Sequence, residues 1–283
     1  MVSAAAVLLA VEHEIPLYFL SATGSPEARL DSIYFKNLPA IRRNQVLFAF
    51  DTQATAWVIS LFDLKLAHQF DNFVFIKNRK SALAQSIEAK QTDMLRSLSD
   101  MKALSNQNLS DVWNNLMGIE GSMAKTYWQI VAEALGDPSL FEKRSRRPAE
   151  DSFNAVLNYA YGMLYNVVEC GVLAAGLDPQ LGFLHADDYA RPTLVFDMIE
   201  PFRPWIDCLI IEQFLLGKVE SVYFTAKDNG IFLNAEGKRW LIPLFNAFME
   251  EKSRFQEKQL SHRNHINRFA GEFAQRLLKY QKV

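Results

Sequence analysis

The sequence predicts a mainly α-helical protein, in which a large helical domain at residues 38–283 follows a short segment of mixed helix and strand at residues 1–37. Two observations predict this class. From about Leu38 onward, apolar residues recur at spacings of three and four, as on one face of a helix. Only one late stretch, at residues 221–233, has the turn chemistry of a β-hairpin. With 283 residues, 49% of them hydrophobic, the chain can build a sizeable core.

The first segment contains a predicted helix, strand and turn. Ser3 to Glu12 form the helix, with Ser3 as its N-terminal cap, and Pro16 to Leu20 form a buried strand. Residues 22–26 are small and turn-forming. Because a sheet needs at least three strands to be stable alone, either the chain starts in the middle of a domain or another subunit completes this one.

The rest of the chain is predicted to be helical, with one hairpin. The helical pattern begins at Leu38 and continues through Leu66. Further helices are predicted at residues 80–106, 110–135, 150–176, 197–215 and 240–281. The hairpin joins strands at Ser221–Phe224 and Gly230–Leu233 through a turn at residues 227–230.

The charge balance does not by itself indicate a partner. The net charge is −2, from 30 Lys and Arg against 32 Asp and Glu, which argues against a nucleic-acid-binding protein. The charges are uneven, however, because residues 141–147 carry four basic side chains and one acidic, and residues 236–283 carry ten basic and five acidic. A basic face and an ordinary solvated helix surface both fit this pattern.

Several features predict a cytoplasmic protein without membrane association. No run reaches the roughly 20 apolar residues that a membrane span needs. The apolar start has no preceding basic residue and is interrupted by Glu12, His13 and Glu14, unlike a secretory signal. Cys170 and Cys208 lie in apolar runs, which favours buried thiols in a reducing compartment over a disulfide.

One carboxylate departs from ordinary helix design. Glu169 is the only acidic residue between Asp151 and Asp178, and its neighbours are mostly Val, Leu and Met. Burying a carboxylate without a partner is costly. Its position therefore implies a cation, a hydrogen-bond partner or a solvent cleft.

A histidine and an acidic pair follow Glu169. His185 ends an apolar run, and such a histidine is either a structural group or a ligand. Asp197 and Glu200, if helical, share one face near the start of a helix, where the dipole favours negative charge. The plain alternative is a capping Asp followed by a first-turn acid. A Glu/His/Glu set would suit Mg²⁺ or Mn²⁺, and the imidazole favours Mn²⁺.

The order of these motifs resembles the CRISPR-associated protein 1 family. The matching motifs are Gly118-Ile-Glu-Gly121, Arg144…Arg146-Arg-Pro148…Asp151, Asn154-Ala155, Tyr159-Ala-Tyr161-Gly, Glu169, Ala175-Gly-Leu-Asp-Pro179, Gly182-Phe-Leu-His185 and Asp197-Met-Ile-Glu200-Pro-Phe-Arg203-Pro204. The opening Val2-Ser-Ala and Ile15-Pro16 look like the end of the family's N-terminal strand domain. The resemblance covers residue 2 to at least residue 216.

The resemblance implies a metal site. Position by position, the family's three ligands for Mg²⁺ or Mn²⁺ fall on Glu169, His185 and Glu200, and Asp197 matches the supporting acid. Arg203 matches a family arginine that would brace the acidic pair or contact phosphate.

The resemblance also implies an activity and partners. Family members are metal-dependent DNA integrases and endonucleases that insert new spacer DNA into a CRISPR array, by attack of a 3′-hydroxyl on repeat phosphodiesters. Arg144, Arg146 and Arg147 would hold the double-stranded DNA (spacer precursor and CRISPR repeat) without reading its sequence. The implied protein partners are CRISPR-associated protein 2 and a second copy in a homodimer. Glu120 is shared with the family, and no chemistry is assigned to it.

Two alternatives stay open at this point. Family members begin with several β-strands that this sequence does not show, so we expect residues 1–37 to be the remnant of an N-terminal β-strand domain in a truncated chain. Such a chain could be a non-catalytic DNA-binding scaffold of the adaptation complex. It could also be a structure-selective, metal-dependent DNA nuclease that uses water as its nucleophile.

Overall fold

The computed structural model describes residues 2–13, 15, 17–21, 24–30, 38–185 and 191–281. Within them the helices are α1 (Ala4–Glu12), α2 (Leu38–Phe48), α3 (Thr52–Arg79), α4 (Ala84–Ala103), α5 (Leu109–Leu135), α6 (Ser152–Ala174), α7 (Thr193–Met198), α8 (Arg203–Leu215), α9 (Ala235–Glu250) and α10 (His262–Lys279). Short 3₁₀ turns lie at Ser81–Leu83, Glu200–Phe202 and Ser221–Tyr223. The strands are β1 (Leu17–Leu20), β2 (Pro26–Leu30), β3 (Phe224–Lys227), β4 (Gly230–Leu233), β5 (Lys252–Phe255) and β6 (Lys258–Ser261), and they form three antiparallel hairpins in chain order.

Helices, counted with the 3₁₀ turns, make up 68% of the described residues, about twice the usual share in globular proteins, so the predicted mainly α class is confirmed. By their contacts the residues group into two compact units. The first unit comprises Met1–Asp51, Met163–Met198 and Lys252–Val283, and the second comprises Thr52–Gly162 and Ile199–Glu251. This division runs through α6 and does not follow the predicted boundary at residue 37. Among the helices described, none is both long and apolar enough to cross a membrane.

The N-terminal elements largely follow the sequence pattern. The side chain of Ser3 accepts a hydrogen bond from the backbone nitrogen of Ala6 at 3.2 Å, which confirms the predicted cap of α1. The predicted strand appears as β1, but the prediction that it is buried is wrong, because Leu17 and Tyr18 are half-buried and Phe19 and Leu20 are exposed. Its partner β2 was not predicted, because the sequence Pro-Glu-Ala-Arg-Leu has no clear alternation of apolar and polar residues. Residues 16, 22 and 23 of the predicted strand and turn lie outside the described residues.

The hairpin β3–β4 was predicted, and its turn has the expected backbone. Asp228 and Asn229 both have positive φ, 48° and 59°. Two consecutive residues of positive φ match the right-handed twist of paired strands, and Asn and Asp tolerate that conformation best after glycine. The predicted start of the first strand is wrong, because Ser221–Tyr223 forms a 3₁₀ turn and pairing begins at Phe224.

The prediction of one helix over residues 240–281 is wrong. The hairpin β5–β6 separates α9 from α10, and its turn places Gln256 and Glu257 at φ of 48° and 62°. These residue types seldom adopt positive φ, so the sequence carries no turn signal there. Helix α10 begins after Ser261, whose side chain caps it by accepting a hydrogen bond from the backbone nitrogen of Asn264.

The helix predicted at residues 197–215 is divided. Helix α7 ends at Met198, the 3₁₀ turn follows, and α8 begins at Arg203. Pro201 lacks a backbone donor and disfavours helical conformation in the residue before it, which explains the interruption. Asp197 therefore lies at the end of a short helix and not at the start of a long one, so the predicted role of a helix dipole at Asp197 is wrong.

The core of the first unit gathers around Phe48 at the end of α2. Its ring lies edge-on to those of Phe183, Phe273 and Tyr280, with centroids 5.5, 5.8 and 5.5 Å away. Edge-to-face pairs of this kind add to the free energy gained by burial of the rings. The cluster joins α2, α10 and the loop that precedes His185, and it therefore positions that loop.

The core of the second unit is built on α3, which packs against α4, α5 and α8. Tyr127 of α5 is fully buried and contacts Phe73 of α3, with ring centroids 5.6 Å apart. A second aromatic cluster links Phe141, Phe153 and Phe214. These contacts make α3 a rigid support for the charged groups described below.

Candidate active site

The loop before His185 is fixed by side chains from two directions within the first unit. The buried amide of Gln45 donates to the carbonyl oxygens of Asp178 and Leu181 at 2.8 and 2.9 Å, and it accepts from the nitrogen of Asp178 at 3.0 Å. The nitrogen of Gly182 donates to the hydroxyl of Thr193 at 2.9 Å. A Cβ at position 182 would lie 2.7 Å from the backbone of Thr193, so only glycine allows this approach.

Asp197 is the anchor of this loop. Its fully buried carboxylate accepts backbone N–H bonds from Phe183, Leu184 and His185, at 2.6, 3.1 and 3.1 Å. Oδ1 also lies 2.7 Å from Nδ1 of His185. The alternative of Asp197 as a helix cap is therefore not what the structure shows, because its carboxylate serves a loop that lies 12 to 14 residues earlier in the chain.

The contact with Asp197 determines which nitrogen of the His185 ring carries the donated hydrogen. Because the carboxylate of Asp197 accepts, Nδ1 of His185 is the donor, and in the neutral ring Nε2 then carries the lone pair. A histidine that ligates a metal almost always donates its other ring nitrogen in this way. The ring is about one-third exposed and packs beside Phe196, with centroids 5.7 Å apart. The sequence-predicted pair of His185 and Asp197 is thus brought together.

Glu169 lies on α6 in a half-buried position. Burial raises the pKa of its carboxyl above the ordinary value. Within the part of the chain that the structure describes, Glu169 makes no hydrogen bond or ion pair. Of the three alternatives that its sequence context implied, a hydrogen-bond partner is not found among the described residues, and a cation or a solvent cleft stays a prediction.

Glu200 lies in the second unit, where it belongs to a cluster of four charges. Its side chain is 7% exposed. The ammonium nitrogen of Lys65 lies 2.7 Å from Oε2 of Glu200 and 2.7 Å from Oε1 of Glu120. Arg203 places Nε 3.3 Å from Oε1 of Glu200, an ion pair without hydrogen-bond alignment, and stacks over the ring of Tyr161. Of the two roles expected for Arg203, the structure shows contact with the acid.

One face of α3 holds this segment in place. Lys65, His68 and Asn72 follow the i, i+3, i+7 spacing of a single helix face. Nδ1 of His68 lies 2.6 Å from the carbonyl oxygen of Pro201, and the amide of Asn72 donates to that of Pro204 at 2.8 Å. These bonds satisfy carbonyls in a region where two prolines interrupt the helical ladder.

Lys65 stays charged in this setting. Burial by itself lowers the pKa of Lys65, but the carboxylates of Glu200 and Glu120 outweigh that effect and the net pKa is above its ordinary value. The two cations and two anions of the cluster therefore balance.

The arginines predicted to contact DNA fall into two groups. Arg144 is engaged inside the second unit, where its guanidinium donates to the side-chain oxygens of Asn154 and Asn158. Arg146 and Arg147 are exposed. A phosphate contact stays a prediction for this pair, whereas Arg144 has most of its donors committed to the protein.

A second buried acid lies in the same unit. Asp207 is 2% exposed and accepts a hydrogen bond from the hydroxyl of Tyr161. Burial raises its pKa to about 6, against the opposing effects of hydrogen bonds from Tyr161 and Tyr127. The native protein therefore holds a proton on Asp207 at a pH where the unfolded chain has released it.

Asp207 makes the stability of the protein depend on pH. Between about pH 4, the ordinary value for Asp, and pH 6, stability from this group falls as the pH rises, by up to about 3 kcal/mol. Asp207→Asn is expected to remove that fall, and urea unfolding at pH 4.5, 5.5 and 7 would measure it. The exposed Asp93→Asn serves as control. Equal slopes for wild type and Asp207→Asn would contradict this account.

The side chains described above supply some of the ligands that a divalent metal ion needs. Among the residues that the structure describes, no group of three or more His, Cys, Asp and Glu is arranged to hold a metal ion. The second unit nevertheless gathers Glu120 and Glu200 round one cation, the ammonium of Lys65. Mg²⁺ is commonly bound by one or two carboxylates together with waters and substrate phosphates, so such a pair suits its chemistry. In the first unit, His185 offers the ring nitrogen that Asp197 does not contact, Nε2.

Two members of the charged cluster were not predicted from the sequence. Glu120 stands in Gly118-Ile-Glu-Gly121, a motif noted above without a chemical role. Lys65 and Asp63 are the two charged residues in the otherwise apolar run from Leu61 to Leu66, so the sequence did not single out Lys65. Neither segment shows that the two side chains meet Glu200, which lies 135 residues beyond Lys65.

Comparison with known proteins identifies the family. The family model described as "CRISPR associated protein Cas1" matches residues 1–247. The chain belongs to the Cas1 family. A similar Cas1 relative is the CRISPR-associated endonuclease Cas1 1 of Thermus thermophilus, 38% identical over 152 residues, which are 53% of this chain and 48% of the relative. In this match the chain spans about half the length of its relative.

Solved structures share the Cas1 fold seen here. A casposase bound to integration product has a TM-score of 0.82 at 21% identity, covering 99% of this chain and 81% of that one. A partial Cas6-RT-Cas1–Cas2 complex has a TM-score of 0.69 at 22% identity, covering 99% and 82%. At this level of identity the likeness concerns the fold.

Proposed function

We propose that this chain is a metal-dependent DNA integrase that joins the 3′-hydroxyl end of a DNA fragment to a phosphodiester of a CRISPR repeat. The observation that carries the proposal is the pair Glu120 and Glu200, gathered round one cation in a chain of the Cas1 family. The names of the relatives, an endonuclease and a casposase bound to integration product, support phosphoryl transfer on DNA.

The proposed ligands for Mg²⁺ or Mn²⁺ are two carboxylates and an imidazole. Glu120 and Glu200 supply the carboxylates, and the resemblance of the motifs adds His185, with Asp197 holding its ring. Bound to these groups, the ion supplies Lewis-acid chemistry to a phosphodiester oxygen. The donors are hard oxygens and one neutral nitrogen, which suits either ion.

The resemblance assigns the first carboxylate to Glu169, and the geometry favours Glu120. One ammonium bridges Glu120 and Glu200, whereas Glu169 makes no ion pair or hydrogen bond within the described residues. Two carboxylates that ligate one metal ion must both lie within reach of a single cation. Glu120 satisfies that requirement with Glu200, so we favour Glu120 and keep Glu169 as the alternative.

The protein's own groups position the substrate and balance its charge. Asp197 accepts a hydrogen bond from Nδ1 of His185, which leaves Nε2 as the ring nitrogen that can serve as a ligand. Arg146 and Arg147 are exposed and would contact the DNA backbone. In the reaction a bond forms from the incoming 3′-oxygen to phosphorus and the bond to the repeat's 3′-oxygen breaks. The number of phosphodiesters is unchanged, so no nucleotide cofactor is consumed.

The proposed partners follow from the family. They are double-stranded DNA, as spacer precursor and CRISPR repeat, a second copy of the chain in a homodimer, and CRISPR-associated protein 2. The fold likeness to a Cas1 in complex with Cas2 supports the last of these. A second candidate function is a nuclease that uses water in place of the 3′-hydroxyl, and the name endonuclease carried by the Thermus relative favours it.

Strand joining tests the proposal directly. A short labelled duplex is incubated with a supercoiled plasmid that carries a CRISPR repeat, with Mn²⁺, Mg²⁺ or EDTA, and with and without the partner subunit. We expect metal-dependent joining that His185→Ala lowers by at least about 100-fold, because a proposed ligand should matter more than an outer-shell group. His13→Ala, an exposed histidine, is the matched control.

The products separate the candidates. Cleavage without joining would favour the nuclease. DNA binding with neither joining nor cleavage, under every metal condition, would contradict both and leave a scaffold.

A further inference from the structure

Lys65 lies between two carboxylates. Its side chain is 13% exposed, and its nitrogen lies at the same distance, 2.7 Å, from one oxygen of Glu120 and one of Glu200. An ammonium carries a compact charge on a flexible four-carbon stem. It contacts one oxygen of each acid, and Mg²⁺ binds carboxylate oxygens at shorter distances, about 2.0–2.1 Å.

Because the charges of the cluster balance, the ammonium of Lys65 and a divalent ion do not occupy the place between Glu120 and Glu200 at the same time. Lys65 and Arg203 neutralise Glu120 and Glu200, so a divalent ion added to the intact cluster would meet no net negative charge. If the ammonium leaves the carboxylates, the same two acids regain the charge that attracts a divalent ion. Metal and ammonium therefore compete for the same oxygens.

Lys65 borders a small recess whose lining offers other contacts for a cation. A recess beside its side chain is lined by Phe62, Gln69 and Met123, among others. The ring of Phe62 lies 6.0 Å from the ammonium nitrogen, near the limit of a cation–π contact, and Gln69 brings an amide.

We propose that Lys65 is a tethered cation that occupies the Glu120–Glu200 pair in the metal-free protein and is displaced when a divalent ion binds. This rests on the proposed function, since it takes that pair as the metal ligands. Lys65 is thus a positioning residue. It keeps two acids that would otherwise repel each other in one place, and by competing it sets the affinity for the metal.

The test measures metal binding without DNA. Free Mn²⁺ is followed by electron paramagnetic resonance during titration of EDTA-stripped protein, and thermal unfolding is recorded with and without Mn²⁺. We expect Lys65→Met to unfold at lower temperature than wild type in EDTA. It should bind Mn²⁺ more tightly, on the order of tenfold, as expected when one positive charge is removed beside a divalent ion. Mn²⁺ should therefore raise its unfolding temperature more than that of wild type.

Two further variants separate competition from packing. Lys65→Arg keeps the charge and is expected to bind Mn²⁺ no more tightly than wild type. Lys90→Met removes a lysine that pairs with Glu133 away from the cluster, and should leave Mn²⁺ binding unchanged. If Lys65→Met destabilises the protein but binds Mn²⁺ as wild type does, Lys65 is only structural. Weaker binding by Lys65→Met would mean that Lys65 assists the metal. Either result overturns the proposal.

The failure of the proposed function would look different. If wild type, Lys65→Met and Glu200→Gln all fail to bind Mn²⁺, the pair is not a metal site and both proposals fall. If wild type binds Mn²⁺ and Glu200→Gln does not, the metal site stands whatever Lys65 does. The outcome for Lys65→Met then decides this inference alone.

Discussion

Glu120→Gln is expected to lower metal-dependent DNA joining by at least about 100-fold. Glu169→Gln is expected to keep most of the wild-type joining activity. The reason is geometric, because Lys65 shows that the carboxylate of Glu120 reaches the same cation as Glu200. Glutamine keeps the shape of the side chain but removes its charge, and loss of a metal ligand should exceed the 10- to 100-fold effects of outer-shell partners. The plasmid joining assay measures activity, and Mn²⁺ titration measures binding.

The control for these two variants lies on α5, the helix that carries Glu120. Glu133→Gln changes another acid of α5 that pairs with a lysine, Lys90, and should affect neither joining nor Mn²⁺ binding. Circular dichroism would show whether each variant is folded. Loss of activity in Glu169→Gln with activity kept in Glu120→Gln would restore the ligand set implied by the motif resemblance.

Asp197→Ala is expected to be the most damaging single change in the first unit. The carboxylate accepts three backbone N–H bonds and orients the ring of His185, so its removal leaves several buried donors without a partner. Loss of one member of such a buried charged network costs about 3–5 kcal/mol. We expect joining activity to fall with stability, because Nδ1 of His185 loses the acceptor that sets its tautomer.

Urea unfolding and the joining assay measure the two effects separately. Asp197→Asn keeps one acceptor oxygen and is expected to be intermediate in both. Asp137→Ala is the matched control, since that carboxylate accepts bonds from the nitrogen and hydroxyl of Ser139 in an exposed turn, and it should lose little stability and no activity. An Asp197→Ala protein as stable as wild type would contradict the anchoring role.

The sequence patterns predicted much of the local structure because the forces behind them are local. Ser3 caps α1 through a bond three residues away, and Asp228 and Asn229 form a turn that their own backbone preferences favour. The hairpin at Gln256 and Glu257 was missed because these residues carry no preference for positive φ. In that segment the paired strands impose a conformation that the turn residues themselves do not favour.

The candidate site shows the same difference between local patterns, which the sequence reveals, and long-range contacts, which it does not. Motif spacing singled out Glu169, His185, Asp197 and Glu200 as a chemical set, and the structure joins His185 to Asp197. Motif spacing could not show how Asp197 acts, because its carboxylate bonds to a loop whose course depends on Gln45, more than 130 residues earlier in the chain.

The helical class, the late hairpin turn and the motifs of the Cas1 family follow from the order of residues alone, since each depends on neighbours within a few positions. Tertiary structure alone decided which carboxylates share a cation. Lys65 meets Glu120 across 55 residues and Glu200 across 135, and no periodicity in the sequence extends that far. These contacts exist because α3 is packed between α5 and the 3₁₀ turn at Glu200–Phe202, and packing of whole elements determines which distant side chains meet.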